Sequence, residues 1–71
     1  MSGRVEEIFG DRIRRLRRDK GWSQVYLAEV TGLSKTFISN VENGQKEPCL
    51  GTIKILADGF EISLGELFRS L

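Results

Sequence analysis

The chain has 71 residues, 39% of them hydrophobic and 30% charged, with one Cys, no His and a formal net charge of +1. That length implies one small domain near the lower limit for a core without staples, and a lone Cys without His excludes an internal disulfide and leaves no credible zinc site. No apolar run approaches the ~18 residues that would span a membrane, and the first twenty residues lack the apolar stretch of a secretory signal, so a soluble cytoplasmic domain is expected.

Strand signals are nearly absent, and helical spacing recurs instead. In the first helix, at about 5–19, Val5, Phe9, Ile13 and Leu16 fall on one stripe. Gly21 is placed to end it. Gly10 within it costs ~1 kcal/mol relative to Ala, so its first turn is expected to fray. Residues 1–20 carry seven basic and four acidic groups, whereas 47–71 carry two and four. A nucleic-acid binder shows a basic excess; here only the distribution leaves room for one. Arg12, Arg14, Arg15 and Arg18 form a cluster that reads as a solvated face, with an approach of one or two Arg to a nucleic-acid backbone as the alternative.

Three later helices share one start signal. A Ser follows an apolar residue, and a second apolar residue stands five positions after the first: Trp22-Ser23…Leu27, Leu33-Ser34…Ile38 and Ile62-Ser63…Leu67. In each, the Ser oxygen can satisfy an orphan helix N–H while the flanking pair forms a hydrophobic staple, and Glu66 adds a capping box to the last. The helices then run at about 24–30, 35–43, 50–59 and 64–70. Only Thr31-Gly32-Leu33-Ser34 separates the second from the third, and Gly32 can take the positive φ that this reversal needs. An all-α domain of five short helices follows.

On a wheel at ~100° per residue, Phe37, Ile38 and Val41 cluster on one side of the third helix. Lys35, Thr36, Ser39, Asn40 and Asn43 occupy the opposite arc. None of these five is a carboxylate, and all can donate a hydrogen bond. That is equipment for reading base edges in a major groove wide enough to admit a helix. The plainer reading is a polar solvated face. Two short helices joined by a tight turn, with Ala28 where they must cross closely, favour a helix-turn-helix at about 24–43.

At this point the chain resembles the Cro/phage-repressor (XRE-like) helix-turn-helix family, including small stand-alone regulators such as restriction–modification controllers. The matching segments are Phe9-Gly10-Asp11-Arg12-Ile13-Arg14-Arg15-Leu16-Arg17, Gly21-Trp22-Ser23-Gln24, Leu27-Ala28-Glu29, Gly32-Leu33-Ser34, Ile38-Ser39, Val41-Glu42-Asn43-Gly44 and Pro48. The resemblance implies a lambda-repressor-like fold and a regulator that binds double-stranded DNA, at a pseudo-palindromic operator, as a homodimer. It places Lys35, Thr36 and Asn40 at base edges, with Ser39 nearby on a base or the backbone. Gln24, Asn43 and Lys46 would contact phosphate, and Arg17 with Glu42 would form an ion pair between the first and third helices.

Some positions depart from the family pattern. Thr31 stands where a small apolar residue is usual and needs a hydroxyl partner if buried. Cys49 replaces the usual capping Ser before the fourth helix, and Glu61 occupies the usual closing Gly, which leaves the end of that helix open. Trp22 and Phe9 read as core or staple residues, and Tyr26 as a solvent-exposed rim position or a phosphate contact. The last twelve residues hold more large apolar side chains than a five-helix monomer obviously needs; Ile62 and Leu67 cover the core, and Phe60, Leu64, Phe68 and Leu71 are assigned to a dimer interface, with simple core packing as the alternative. Without a His base, phosphate loop or metal cluster, no enzyme, cofactor or small-molecule ligand is expected. The competing reading is a protein-interaction module on the same fold, an antitoxin or regulatory subunit.

Overall fold

Three serines start three helices as their spacing predicts. In the computed structural model, which describes residues 4–69, the hydroxyls of Ser23, Ser34 and Ser63 accept from the N–H groups of Tyr26, Phe37 and Glu66, each at 3.0 Å. The elements are α1 (Val5–Asp19), α2 (Gln24–Thr31), α3 (Lys35–Glu42), α4 (Leu50–Gly59) and α5 (Leu64–Leu67). The expected ends of α2 and α3 are right to within one residue. Helix α5 is shorter than the expected 64–70, and its proposed capping box is not closed: the Glu66 carboxylate faces Arg69 at 3.6 Å.

Helix α1 opens without a serine. The Glu7 carboxylate accepts from the Arg4 N–H at 3.2 Å, and Glu6 and Glu7 place negative charge in the first turn where the helix dipole favours it. Its stripe is narrower than expected, because Phe9 and Ile13 are buried whereas Val5 is 69% exposed. Gly10 has a role beyond its helix-weakening effect. A Cβ there would lie 2.8 Å from the Glu42 carbonyl oxygen and closer still to that of Val41, so the missing side chain lets α1 sit directly on the last turn of α3.

Between α2 and α3, Gly32 takes φ 77° and donates its N–H to the Ala28 carbonyl at 2.8 Å. Thr31 finds the partner it needs: its hydroxyl donates to the Leu27 carbonyl (2.8 Å) and accepts from the Leu33 N–H (3.3 Å). This hydrogen-bonded reversal fixes α3 relative to α2. At the far side, α4 ends at Gly59 and the chain turns through Glu61 at φ 60°, a left-handed conformation that a residue with a Cβ adopts at a penalty.

The core comprises Phe9, Ile13, Leu27, Ala28, Ile38, Val41, Leu56, Ala57, Phe60 and Leu67. Ile38 is 0% exposed, and burying such a side chain stabilises the fold by roughly 1.5–3 kcal/mol. Trp22 closes the core by stacking on Phe60, with centroids 5.6 Å apart and planes within 11°. Phe60 was expected at a dimer interface, but at 1% exposure it offers no surface to a partner. Leu67 and Phe60 fill the core, Ile62 and Leu64 pack partly against it, and Phe68 keeps 36% exposure. Leu71 lies outside the described residues. No helix among the described residues is long and apolar enough to cross a membrane.

Candidate nucleic-acid interface

Helix α3 divides as its wheel predicts. Ile38 and Val41 are buried and Phe37 is half-buried, while Lys35 and Thr36 are exposed and Ser39 and Asn40 half-buried. None of these last four side chains takes part in a hydrogen bond within the described residues, whereas the backbone around them is satisfied, with the Ile38 N–H on Ser34 and the Gln45 N–H on the Asn40 carbonyl. Four small groups with unclaimed hydrogen-bonding capacity therefore stand on the outer face of a fixed helix.

What fixes the helix is a charged network on its inner side. Arg17 donates through Nε to Glu42 Oε2 at 2.6 Å and through Nη2 to Oε1 at 3.0 Å. Its Nη1 donates to the Trp22 carbonyl at 2.8 Å. The Glu42 side chain is 0% exposed and that of Arg17 11%. Burial pushes the Glu42 carboxyl up, but hydrogen bonds from Arg17 and Gln24 and the charges of Arg17 and Arg14 outweigh it and hold the carboxyl below its ordinary value. The hydrogen bond that Arg17 donates to Glu42 outweighs desolvation in the same way and raises Arg17 above its ordinary value. The ion pair that the family resemblance implies is present, and it is bidentate and buried.

Gln24 belongs to this network. Its Nε2 donates to Glu42 Oε1 at 3.0 Å, which commits one amide proton. Asn43 closes α3 and is exposed, with its Oδ1 accepting from Arg14 Nη2 at 3.2 Å. Lys46 is exposed just beyond. The seven residues assigned to DNA thus lie on α3, at the start of α2 and in the loop after α3.

Two arginines take roles that sequence reasoning missed. Arg12 donates through Nε to the Leu67 carbonyl (3.1 Å) and through Nη2 to the Glu66 carbonyl (2.8 Å), closing the end of α5. Arg14 donates through Nη2 to the Glu42 carbonyl at 2.8 Å. The basic cluster is therefore only partly a solvated face: Arg15 and Arg18 are exposed, while Arg12 and Arg14 are structural ties. Apolar spacing carries no trace of this, because both side chains reach backbone carbonyls far along the chain. Tyr26 sits at the rim, 47% exposed, with its ring edge-on to Trp22 at 5.1 Å.

At the N-terminus of α4, Cys49 makes no side-chain cap to the helix backbone. Its Sγ lies 3.3 Å from Thr52 Oγ1, and that hydrogen bond lowers the thiol pKa below its ordinary value.

This geometry has known counterparts. The restriction–modification controller protein C.AhdI from Aeromonas hydrophila superposes with a TM-score of 0.85 at 41% identity, over 89% of this chain and 91% of that one. Control protein C.SmaI of Serratia marcescens is 35% identical over 63 residues, 89% of this chain and 75% of its own. The HTH-type transcriptional regulator AnsR of Bacillus subtilis is 37% identical over 57 residues, 80% of this chain; the chain spans about half, 49%, of that relative's length. A family model described as Helix-turn-helix matches residues 13–67. The all-helical architecture, the buried Arg17–Glu42 tie and this match have one reading: the chain belongs to the helix-turn-helix family.

Proposed function

We propose that the protein is a cytoplasmic, sequence-specific DNA-binding transcriptional regulator, not an enzyme, that sets α3 in the major groove. The observation that carries this reading is the outer face of α3, where Lys35, Thr36, Ser39 and Asn40 offer unclaimed donors and acceptors on a helix immobilised from behind. Lys35 suits guanine and Asn40 adenine. Gln24, Asn43 and Lys46 take phosphates and set the register. A protein-interaction surface would present apolar anchors on this face instead. The similarity to C.SmaI and C.AhdI supports a regulator of the restriction–modification controller kind.

The protein acts as a homodimer in this reading. Phe68 and Val5 remain exposed beside a cleft lined also by Glu6, Phe9, Glu47, Pro48 and Ile53, and Leu64 is partly buried against the core. With Phe60 in the core, the proposed dimer face rests on Leu64 and Phe68. A particle of 34 × 24 × 24 Å can bring two copies of α3 about one DNA turn, ~34 Å, apart.

Selection of duplexes from a random pool, followed by footprinting, tests the proposal; enrichment of a pseudo-palindrome is expected, and no enrichment refutes it. Asn40→Ala should erode discrimination by ~1–3 kcal/mol at one base position, while Lys46→Ala should weaken all sequences alike and reduce the salt slope by about 1. Equal weakening of every sequence by Asn40→Ala would refute the division of roles.

A further inference from the structure

We propose that Arg14 is a positioning residue for a phosphate contact: it turns the Asn43 amide so that its NH2 group faces the DNA backbone. The proposal rests on the DNA-binding reading above. The Arg14 guanidinium lies where α1 meets the end of α3, with its side chain 27% exposed. Its Nη1 donates to Asp11 Oδ1 at 3.0 Å, and its Nη2 donates to the Glu42 carbonyl at 2.8 Å and to Asn43 Oδ1 at 3.2 Å. Its Nε sits 3.8 Å from Glu42 Oε1.

A guanidinium carries five donors and no acceptor. An amide held against it must present its oxygen inward, and the Asn43 NH2 group then points away from α1. Asn43 is exposed, and phosphate oxygens only accept. The flip that Arg14 imposes is therefore the one that serves a phosphate; the opposite flip would set a carbonyl against it. Arg14 itself is committed to Asp11, Glu42 and Asn43, so it acts through Asn43. The Glu42 carbonyl bond adds a second constraint, because it anchors the backbone from which Asn43 projects.

The test uses the duplex that the wild-type protein enriches from a random pool. Arg14→Met and Asn43→Ala should each weaken binding roughly tenfold, the size expected for one hydrogen bond to a charged acceptor. The double variant should bind no worse than Asn43→Ala alone. The slope of log Kd against log salt should be unchanged in Arg14→Met, whereas a direct Arg14–phosphate contact would lower it by about 0.9. Asn43→Asp guards against misfolding of Arg14→Met: it keeps an acceptor for Arg14 but has no donor, so it should fold normally and bind more weakly than Asn43→Ala. Enrichment followed by additive losses, a reduced slope in Arg14→Met, or wild-type binding by Asn43→Asp overturns this inference alone. Failure to enrich any duplex overturns the DNA-binding reading and takes this inference with it.

Discussion

Replacing Arg17 by Met strands the Glu42 carboxylate, and the structure sets the size of the consequence. Removing one partner of a buried pair destabilises by ~3–5 kcal/mol, because the remaining charge is left uncompensated. Glu42 is fully buried but keeps Gln24 Nε2 at 3.0 Å and Arg14 Nε at 3.8 Å. Those two neighbours place the expected loss at the low end, about 3 kcal/mol. A domain of this length has roughly 4–10 kcal/mol in total, so urea denaturation near neutral pH should show a large drop in midpoint. The pH dependence should change sign as well. In the wild type the Glu42 pKa is lowered on folding, so its contribution is present above the unfolded-state pKa and is lost as pH falls through the depressed folded value. In Arg17→Met burial prevails and the folded pKa rises above the unfolded one; stability is then greatest below the unfolded pKa and lost as pH rises through the folded value. The gap between the two proteins should therefore narrow in acid. A loss under about 1 kcal/mol, or a gap that widens as pH falls, would show that Glu42 is not desolvated as described. Arg17→Met combined with Glu42→Leu should recover most of the lost stability, since no charge is left stranded.

Other substitutions probe the backbone. Gly10→Ala should destabilise by about 2 kcal/mol despite its gain in helix propensity, because the new methyl meets carbonyl oxygens of α3; a raised urea midpoint would refute the close approach. Glu61→Gly should stabilise by about 0.5–1 kcal/mol, as relief of the left-handed conformation exceeds the entropy that glycine adds to the unfolded chain. A lower thermal midpoint would count against that. Cys49→Ser should stabilise by ~0.5–1 kcal/mol by supplying an oxygen to cap α4, and a lower denaturation midpoint would show that the thiol's contact with Thr52 matters more.

The readable features were those whose cause lies within one helical turn. Ser23, Ser34 and Ser63 act on N–H groups three residues away, so spacing alone locates α2, α3 and α5 at their starts. The outward arc of α3 follows from the 3.6-residue period in the same way. Arg12 and Arg14 escaped because their acceptors are backbone carbonyls 55 and 28 residues along the chain, and a carbonyl has no sequence identity. Intrinsic propensity marks Gly10 only as helix-weakening, while its purpose lies in the contact with α3. Phe60 and Phe68 are chemically identical; only the turn at Glu61 and the platform of Trp22 decide that one is core and the other remains exposed.

The division of α3 bears on how such a reader can be retargeted. The side-chain hydrogen bonds that hold it, from Arg14, Arg17 and Gln24, attach to Glu42 and Asn43, and Gly10 admits α1 against its backbone; among the described residues none reaches Lys35, Thr36, Ser39 or Asn40. If those four positions read bases as proposed above, new side chains can be grafted there without disturbing the mount, and target preference can drift while the architecture stays constant.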